Sequence, residues 1–166
     1  YISYGYNETI DIPVVVNGKT YDFILDTGAS FTMVSQDLAK DMSAKIIGDP
    51  IFVGGATAGG YGQRAFIENM SVGPVSLKNV IAFVSENPTD DDPLKVDAVL
   101  GMDFIERAGE IQIDLAAMTL IIPAQTTALP ASGRNIILET NIPVVESTDA
   151  NGNRYTFILD SGASGA

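Results

Sequence analysis

Apolar and polar residues alternate in short runs along most of the chain, and turn residues punctuate the runs. Ile10-Asp11-Ile12-Pro13-Val14-Val15-Val16 reads as a strand, Asn17-Gly18 as a tight turn, and Thr20 to Leu25 as the returning strand. Together they predict a β-hairpin. Pro13 has no N–H for a ladder, so an edge or a bulge is expected there. Phe31 to Val34 predicts a short strand, and Ser35 an N-cap for a brief helix over Gln36 to Lys40. Lys45 to Val53 is extended. The next nine residues, Gly54 to Gly62, hold five glycines and predict a loop tip outside the core. Gln63 to Val72 and Val75 to Val84 predict two strands about Gly73-Pro74, and Val96 to Leu100 another. Asp103 is placed to cap a short helix over Phe104 to Arg107. Glu110 to Leu115 and Met118 to Ile122 alternate as a further hairpin.

The pattern then restarts. Tyr21-Asp22-Phe23-Ile24-Leu25-Asp26-Thr27-Gly28-Ala29-Ser30 returns 134 residues later as Tyr155-Thr156-Phe157-Ile158-Leu159-Asp160-Ser161-Gly162-Ala163-Ser164, with eight of ten positions identical. Asn141-Ile142-Pro143-Val144-Val145 likewise echoes the strand around Pro13, and Asn151-Gly152 lies in a second hairpin turn. The organisation expected is one unit over 1–125, a linker over 126–134, and over 135–166 the start of a second, incomplete unit. The 32 residues of such a unit cannot bury a core of their own. They would be completed by more chain beyond Ala166, by the first unit, or by another chain.

Composition narrows the chemistry. With 46% hydrophobic and 18% charged residues among 166, the chain can bury a sizeable core, and its strand-and-turn pattern makes it all-β. A net charge of −12 argues against nucleic acid or an anionic membrane as partner. The apolar runs are too short for a membrane span. There is no Cys and no His. That excludes disulfides, thiolate or imidazole metal sites, cysteine nucleophiles and Ser-His-Asp catalysis, and leaves carboxylates as the acid–base groups. No cofactor is implied. The glycine-rich stretch lacks the Lys-Ser/Thr ending of a phosphate loop. The acidic segment Glu86 to Pro93, and Asp149-x-Asn151-x-Asn153, fit no calcium loop and read as surface turns.

Each repeated run delivers one carboxylate, Asp26 or Asp160, into a turn built from a hydroxyl residue and a glycine. A single Asp-Thr-Gly after a strand is equally a plain β-turn. Two copies with one apolar lead-in, in a chain without His or Cys, favour a pair of carboxylates that share a proton, one activating water and the other acting as acid. Thr27 and Ser161 could then hydrogen-bond across to the partner loop, Gly28 and Gly162 would allow a backbone conformation closed to other residues, and Leu25 and Leu159 would hold the loops in apolar surroundings.

These features resemble the retropepsin-like and pepsin-like aspartic proteases, in particular the bacterial relatives of the retroviral enzymes. The resemblance rests on Asp26-Thr27-Gly28-Ala29, on the glycine-rich stretch, and on Val99-Leu100-Gly101 in the place of a hydrophobic-hydrophobic-Gly motif that supports the catalytic loop. It implies a closed, mostly antiparallel barrel with short helices after the Asp loop and after Val99-Leu100-Gly101. It also implies a flap over an extended peptide or protein substrate: Gly54, Gly55, Ala56, Thr57, Ala58, Gly59, Gly60 and Tyr61. Met102 stands where retroviral members carry Arg, so their dimer is not simply implied. Two Asp loops on one chain match the two-lobed enzymes instead, and a homodimer of the first unit is the other arrangement. An inert peptide-binding module and an autoprocessing domain of a larger protein are the competing functions. Acidity and family habit suggest a secreted or periplasmic location. Ala29 and Ala163 bring no side-chain donor to the carboxylates, which predicts activity at mildly acidic to neutral pH.

Overall fold

Two hairpins and a closing strand pair organise this computed structural model, which describes residues 2–4, 9–54, 59–86, 96–128, 132 and 135–163. The strands are β1 (Ser3–Tyr4), β2 (Ile10–Val16), β3 (Lys19–Leu25), β4 (Met33–Ser35), β5 (Lys45–Gly54), β6 (Gly59–Val72), β7 (Val75–Ser85), β8 (Ala98–Leu100), β9 (Gln112–Asp114), β10 (Thr119–Ile121), β11 (Ile136–Glu139), β12 (Ile142–Thr148) and β13 (Arg154–Ile158). Helix α1 (Gln36–Asp41) follows β4, and α2 (Met102–Ala108) follows β8.

β1 to β8 form one sheet in the order β1-β2-β3-β8-β4-β7-β6-β5, and a further pairing of β2 with β6 closes six of the strands into a barrel. The pairs β3–β8 and β4–β7 are parallel and the others antiparallel. The all-β barrel with two short helices is the architecture the resemblance implied. Closure leaves the six strands no free edge. Alternation then sends Ile12, Val14 and Val16, Phe23 and Leu25, Ala65 and Ile67, Val80, Ala82 and Val84 into one core, joined by Leu100 and Phe104.

Local sequence explains the corners. Asn17 and Gly18 both take positive φ, 51° and 81°, as a two-residue turn matched to strand twist requires. Pro13 faces Asp22 on β3; on the other side of β2, pairing with β1 stops at Asp11 and pairing with β6 begins at Val14. Proline sits where no ladder bond is asked of it. The Ser35 hydroxyl accepts from Leu38 N–H at 3.2 Å and caps α1.

Two expectations change. Gly59, Gly60, Tyr61 and Gly62 are not loop but the first residues of β6, because Val53, Phe52 and Ile51 pair with Gly60, Tyr61 and Gly62 and carry the hairpin outward. Residues 55–58 and most of the acidic segment, 87–95, lie outside the described residues. Asp103 does not cap α2: Gly101 holds the N-cap position, without a side-chain bond, and Asp103 turns to Thr32.

The repeat forms its own three-stranded sheet, β11-β12-β13. Asp149 organises its turn, accepting from the N–H groups of Asn151 and Asn153, each at 2.9 Å, so that segment is a hairpin turn.

Candidate active site

β3 ends at Leu25, opposite Leu100 of the parallel strand β8, and Asp26 N–H extends that ladder to Leu100 O at 3.1 Å. The chain then turns back on its own carboxylate. Asp26 Oδ1 accepts from Gly28 N–H at 2.7 Å and Ala29 N–H at 3.1 Å. Asp160 repeats the arrangement with Gly162 N–H at 2.9 Å and Ala163 N–H at 3.1 Å. Each Asp-x-Gly-Ala segment is a local device that fixes one carboxylate oxygen through two backbone amides.

The two loops meet head to head. Thr27 Oγ1 donates to Leu159 O at 2.5 Å, and Ser161 Oγ donates to Leu25 O at 2.7 Å. In return, Ser161 N–H donates to Thr27 Oγ1 at 3.0 Å and Thr27 N–H to Ser161 Oγ at 3.1 Å. Each hydroxyl thus donates and accepts across a pseudo-twofold, and no apolar residue could replace it without orphaning two backbone groups.

Gly28 and Gly162 are needed for a reason different from the one the sequence suggested. Neither has a positive φ. A Cβ on Gly28 would lie 2.5 Å from Cγ of Asp160, and a Cβ on Gly162 would lie 2.5 Å from Cγ of Asp26. Each glycine vacates the space that the opposite carboxylate fills.

Burial and that contact together set the electrostatics. Asp26 is raised from 3.8 to about 6, first by burial, then by the charge of Asp160 and the hydrogen bond with it; the Gly28 and Ala29 amides oppose the rise. The surroundings are unequal. Leu25 is fully buried, whereas Leu159 is 52% exposed, so the second loop lacks the apolar setting expected for it.

Val99, Leu100 and Gly101 lie directly behind the first loop. Val99 and Leu100 are buried. A Cβ on Gly101 would stand 2.6 Å from the carbonyl of Phe31 and 2.8 Å from Ala29 O, and Met102 N–H donates to Ala29 O at 2.9 Å. The backbones pass too closely for a side chain.

A second clamp lies behind the loop. Asp103 Oδ1 accepts from Thr32 N–H at 2.8 Å and from Thr32 Oγ1 at 2.9 Å. Burial pushes the Asp103 carboxyl up, and the two Thr32 donors hold it down. The only sequence signal was a threonine inside an otherwise apolar strand, fully buried in the fold.

Of the flap residues, Gly55, Ala56, Thr57 and Ala58 lie outside the described residues, while Gly54 ends β5 and Gly59, Gly60 and Tyr61 begin β6. Tyr61 is 78% exposed and packs edge-on against Phe52 of the same hairpin, with ring centroids 5.6 Å apart. Among the described residues no group of three or more acidic side chains could hold a metal ion.

Comparison with known proteins gives a consistent result. The aspartyl protease family profile matches residues 12–104. The DNA damage-inducible protein 1 of Neurospora crassa is 28% identical over 122 residues, which are 74% of this chain and 27% of that protein. The chain therefore spans about a quarter of that relative's length. Among solved structures, a retropepsin-like aspartic protease from Rickettsia conorii superposes with a TM-score of 0.50 at 19% identity, covering 68% of this chain and 82% of that one. The retroviral protease-like domain of Ddi1 from Leishmania major gives 0.48 at 16% identity, covering 70% and 90%.

Proposed function

The chain belongs to the aspartyl protease family, and from that premise we propose that it is an endopeptidase whose catalytic pair is Asp26 and Asp160. The observation that carries the proposal is the reciprocal fit of the two loops: each glycine makes room for the other loop's carboxylate, and each hydroxyl bonds the other loop's backbone. Carboxylates this near cannot both ionise, so the pair holds one proton between them over a range of acidity. The ionised member takes a proton from water as the water attacks the peptide carbonyl carbon. The protonated member supplies its proton to the carbonyl oxygen. Collapse of the resulting diol, with transfer of a proton to the amine, breaks the C–N bond. The pair titrates as a unit, so acid and base are roles of the pair.

Residues 1–125 would then be one lobe, 126–134 a linker, and 135–166 the part of a second lobe that brings the second aspartate. The substrate proposed is an extended peptide lying between the Asp loops and the β5–β6 hairpin. Asp26→Asn and Asp160→Asn test this directly against a mixed peptide library from pH 3 to 8. Both should lower kcat/KM by on the order of 10³-fold or more, as expected for loss of an acid–base partner. Loss in Asp26→Asn alone would replace the intrachain pair with one formed by two copies of the first unit. Binding without cleavage at every pH would favour a peptide-binding module.

A further inference from the structure

Arg64 lies on β6, in the hairpin that carries the flap candidates, and its surroundings differ from those of the surface cations. Its register partners on the two neighbouring strands are Ile47 of β5 and Phe83 of β7, so its side chain rises between them on one face of the sheet. The guanidinium is seated over a bulge in β5. Gly48 has φ 66°, and a Cβ there would lie 2.6 Å from Arg64 Nη2. Arg64 Nε is buried with no hydrogen-bond partner, and the head group makes no ion pair among the described residues. In a chain of net charge −12 this is a positioned cation with an unmet donor.

The position is continuous with the Asp loop. Phe31, five residues after Asp26, is half exposed, and its ring meets Phe83 edge to face at 5.2 Å. Phe83 N–H in turn donates to Thr32 O at 2.9 Å. A ridge of Phe31, Phe83 and Arg64 therefore runs from the candidate catalytic loop to the hairpin beside it. An extended peptide bound there would pass an apolar ring and then a guanidinium. Planar guanidinium forks bind carboxylates through two parallel hydrogen bonds, more strongly where water is partly excluded.

Resting on the protease reading above, we propose that Arg64 is a specificity-determining residue that receives a Glu or Asp side chain of the substrate, with Phe31 packing against a neighbouring substrate residue. A structural role alone, holding the bulge at Gly48, would alter stability and leave peptide preference unchanged.

The test compares the full chain with Arg64→Gln, Arg64→Lys and Arg64→Glu. The substrates are end-blocked octapeptides carrying Glu, Gln or Lys in turn at each position, so that no chain-terminal carboxylate competes. Cleavage is followed as kcat/KM. Affinity for the same peptides with a reduced, uncleavable central bond is followed by fluorescence anisotropy, and melting curves report folding. The expected result is one position at which Glu exceeds Gln about tenfold. The preference should be lost in Arg64→Gln, partly kept in Arg64→Lys and turned towards Lys in Arg64→Glu. Cleavage or binding without an Arg64-dependent acidic preference would overturn this proposal and leave the protease reading standing. Neither cleavage nor binding of any peptide would overturn both.

Discussion

The two Asp loops share eight residues of ten and the same internal hydrogen bonds, yet they sit in different surroundings. Phe23 and Leu25 are fully buried; their counterparts Phe157 and Leu159 are 55% and 52% exposed. The difference lies in the neighbours. β3 has β2 on one side and β8 on the other, whereas β13, among the described residues, pairs with β12 alone. Loop geometry is therefore written locally, in Asp-x-Gly-Ala, while burial, and with it the raised pKa of Asp26, is set by strands far away in sequence.

Truncating the two leucines gives the largest test of that contrast. Leu25→Ala removes a fully buried side chain and is expected to cost about 2–5 kcal/mol. Leu159→Ala should cost less than about 1 kcal/mol, as for other exposed positions. Urea denaturation of both variants checks this. Equal losses would mean that something covers β13 in solution, and the comparison between the loops would lose its basis.

The hydroxyls sharpen it from the opposite direction, since here the loops should behave alike. Thr27→Ala and Ser161→Ala each delete a donor to the partner loop and an acceptor for its amide. Each should destabilise by about 1–3 kcal/mol. Because both belong to one network, the double variant should cost clearly less than the sum of the singles. Additive losses in the cycle would mean that the loops are held together by something other than these four bonds.

The sequence displayed more of this than is usual, and the reasons are local. Asn17-Gly18 gives the turn because two successive positive-φ residues suit that pair. Ser35 caps α1 through a neighbour three residues on. The repeat itself displayed the two aspartates. What stayed hidden depends on long-range contacts. The Thr32–Asp103 clamp spans 71 residues, and Asp103 read instead as a cap because capping is the local use of an aspartate before a helix. The glycines of the Asp loops read locally as backbone freedom, but their space is taken by a carboxylate from the other loop. Gly59 to Gly62 read as loop because glycine disfavours strands, and pairing with Ile51 to Val53 overrode that preference. Arg64 gave no sequence signal at all, since its setting is made by one residue on each of two neighbouring strands.

The smallest effect concerns pH and stability. Burial and the nearby Asp160 raise Asp26 from 3.8 to about 6. The folded chain therefore holds this proton more tightly than the unfolded chain, and between those values it loses stability as pH rises. Such a shift is worth at most about 3 kcal/mol, and the solvent reaching one side of the carboxylate lowers that to about 1–2 kcal/mol. Asp26→Asn does not titrate but can still accept from the Gly28 and Ala29 amides. Its urea midpoint should therefore match wild type near pH 4 and exceed it increasingly up to pH 7. The same titration should end catalysis on the alkaline side, with kcat/KM falling above about pH 6 as the pair gives up its shared proton. If wild type instead gains on Asp26→Asn as pH rises, the two amides outweigh burial and the opposing charge. The first loop would then be electrostatically relaxed, and the burial of Leu25 beside it would have no bearing on acidity.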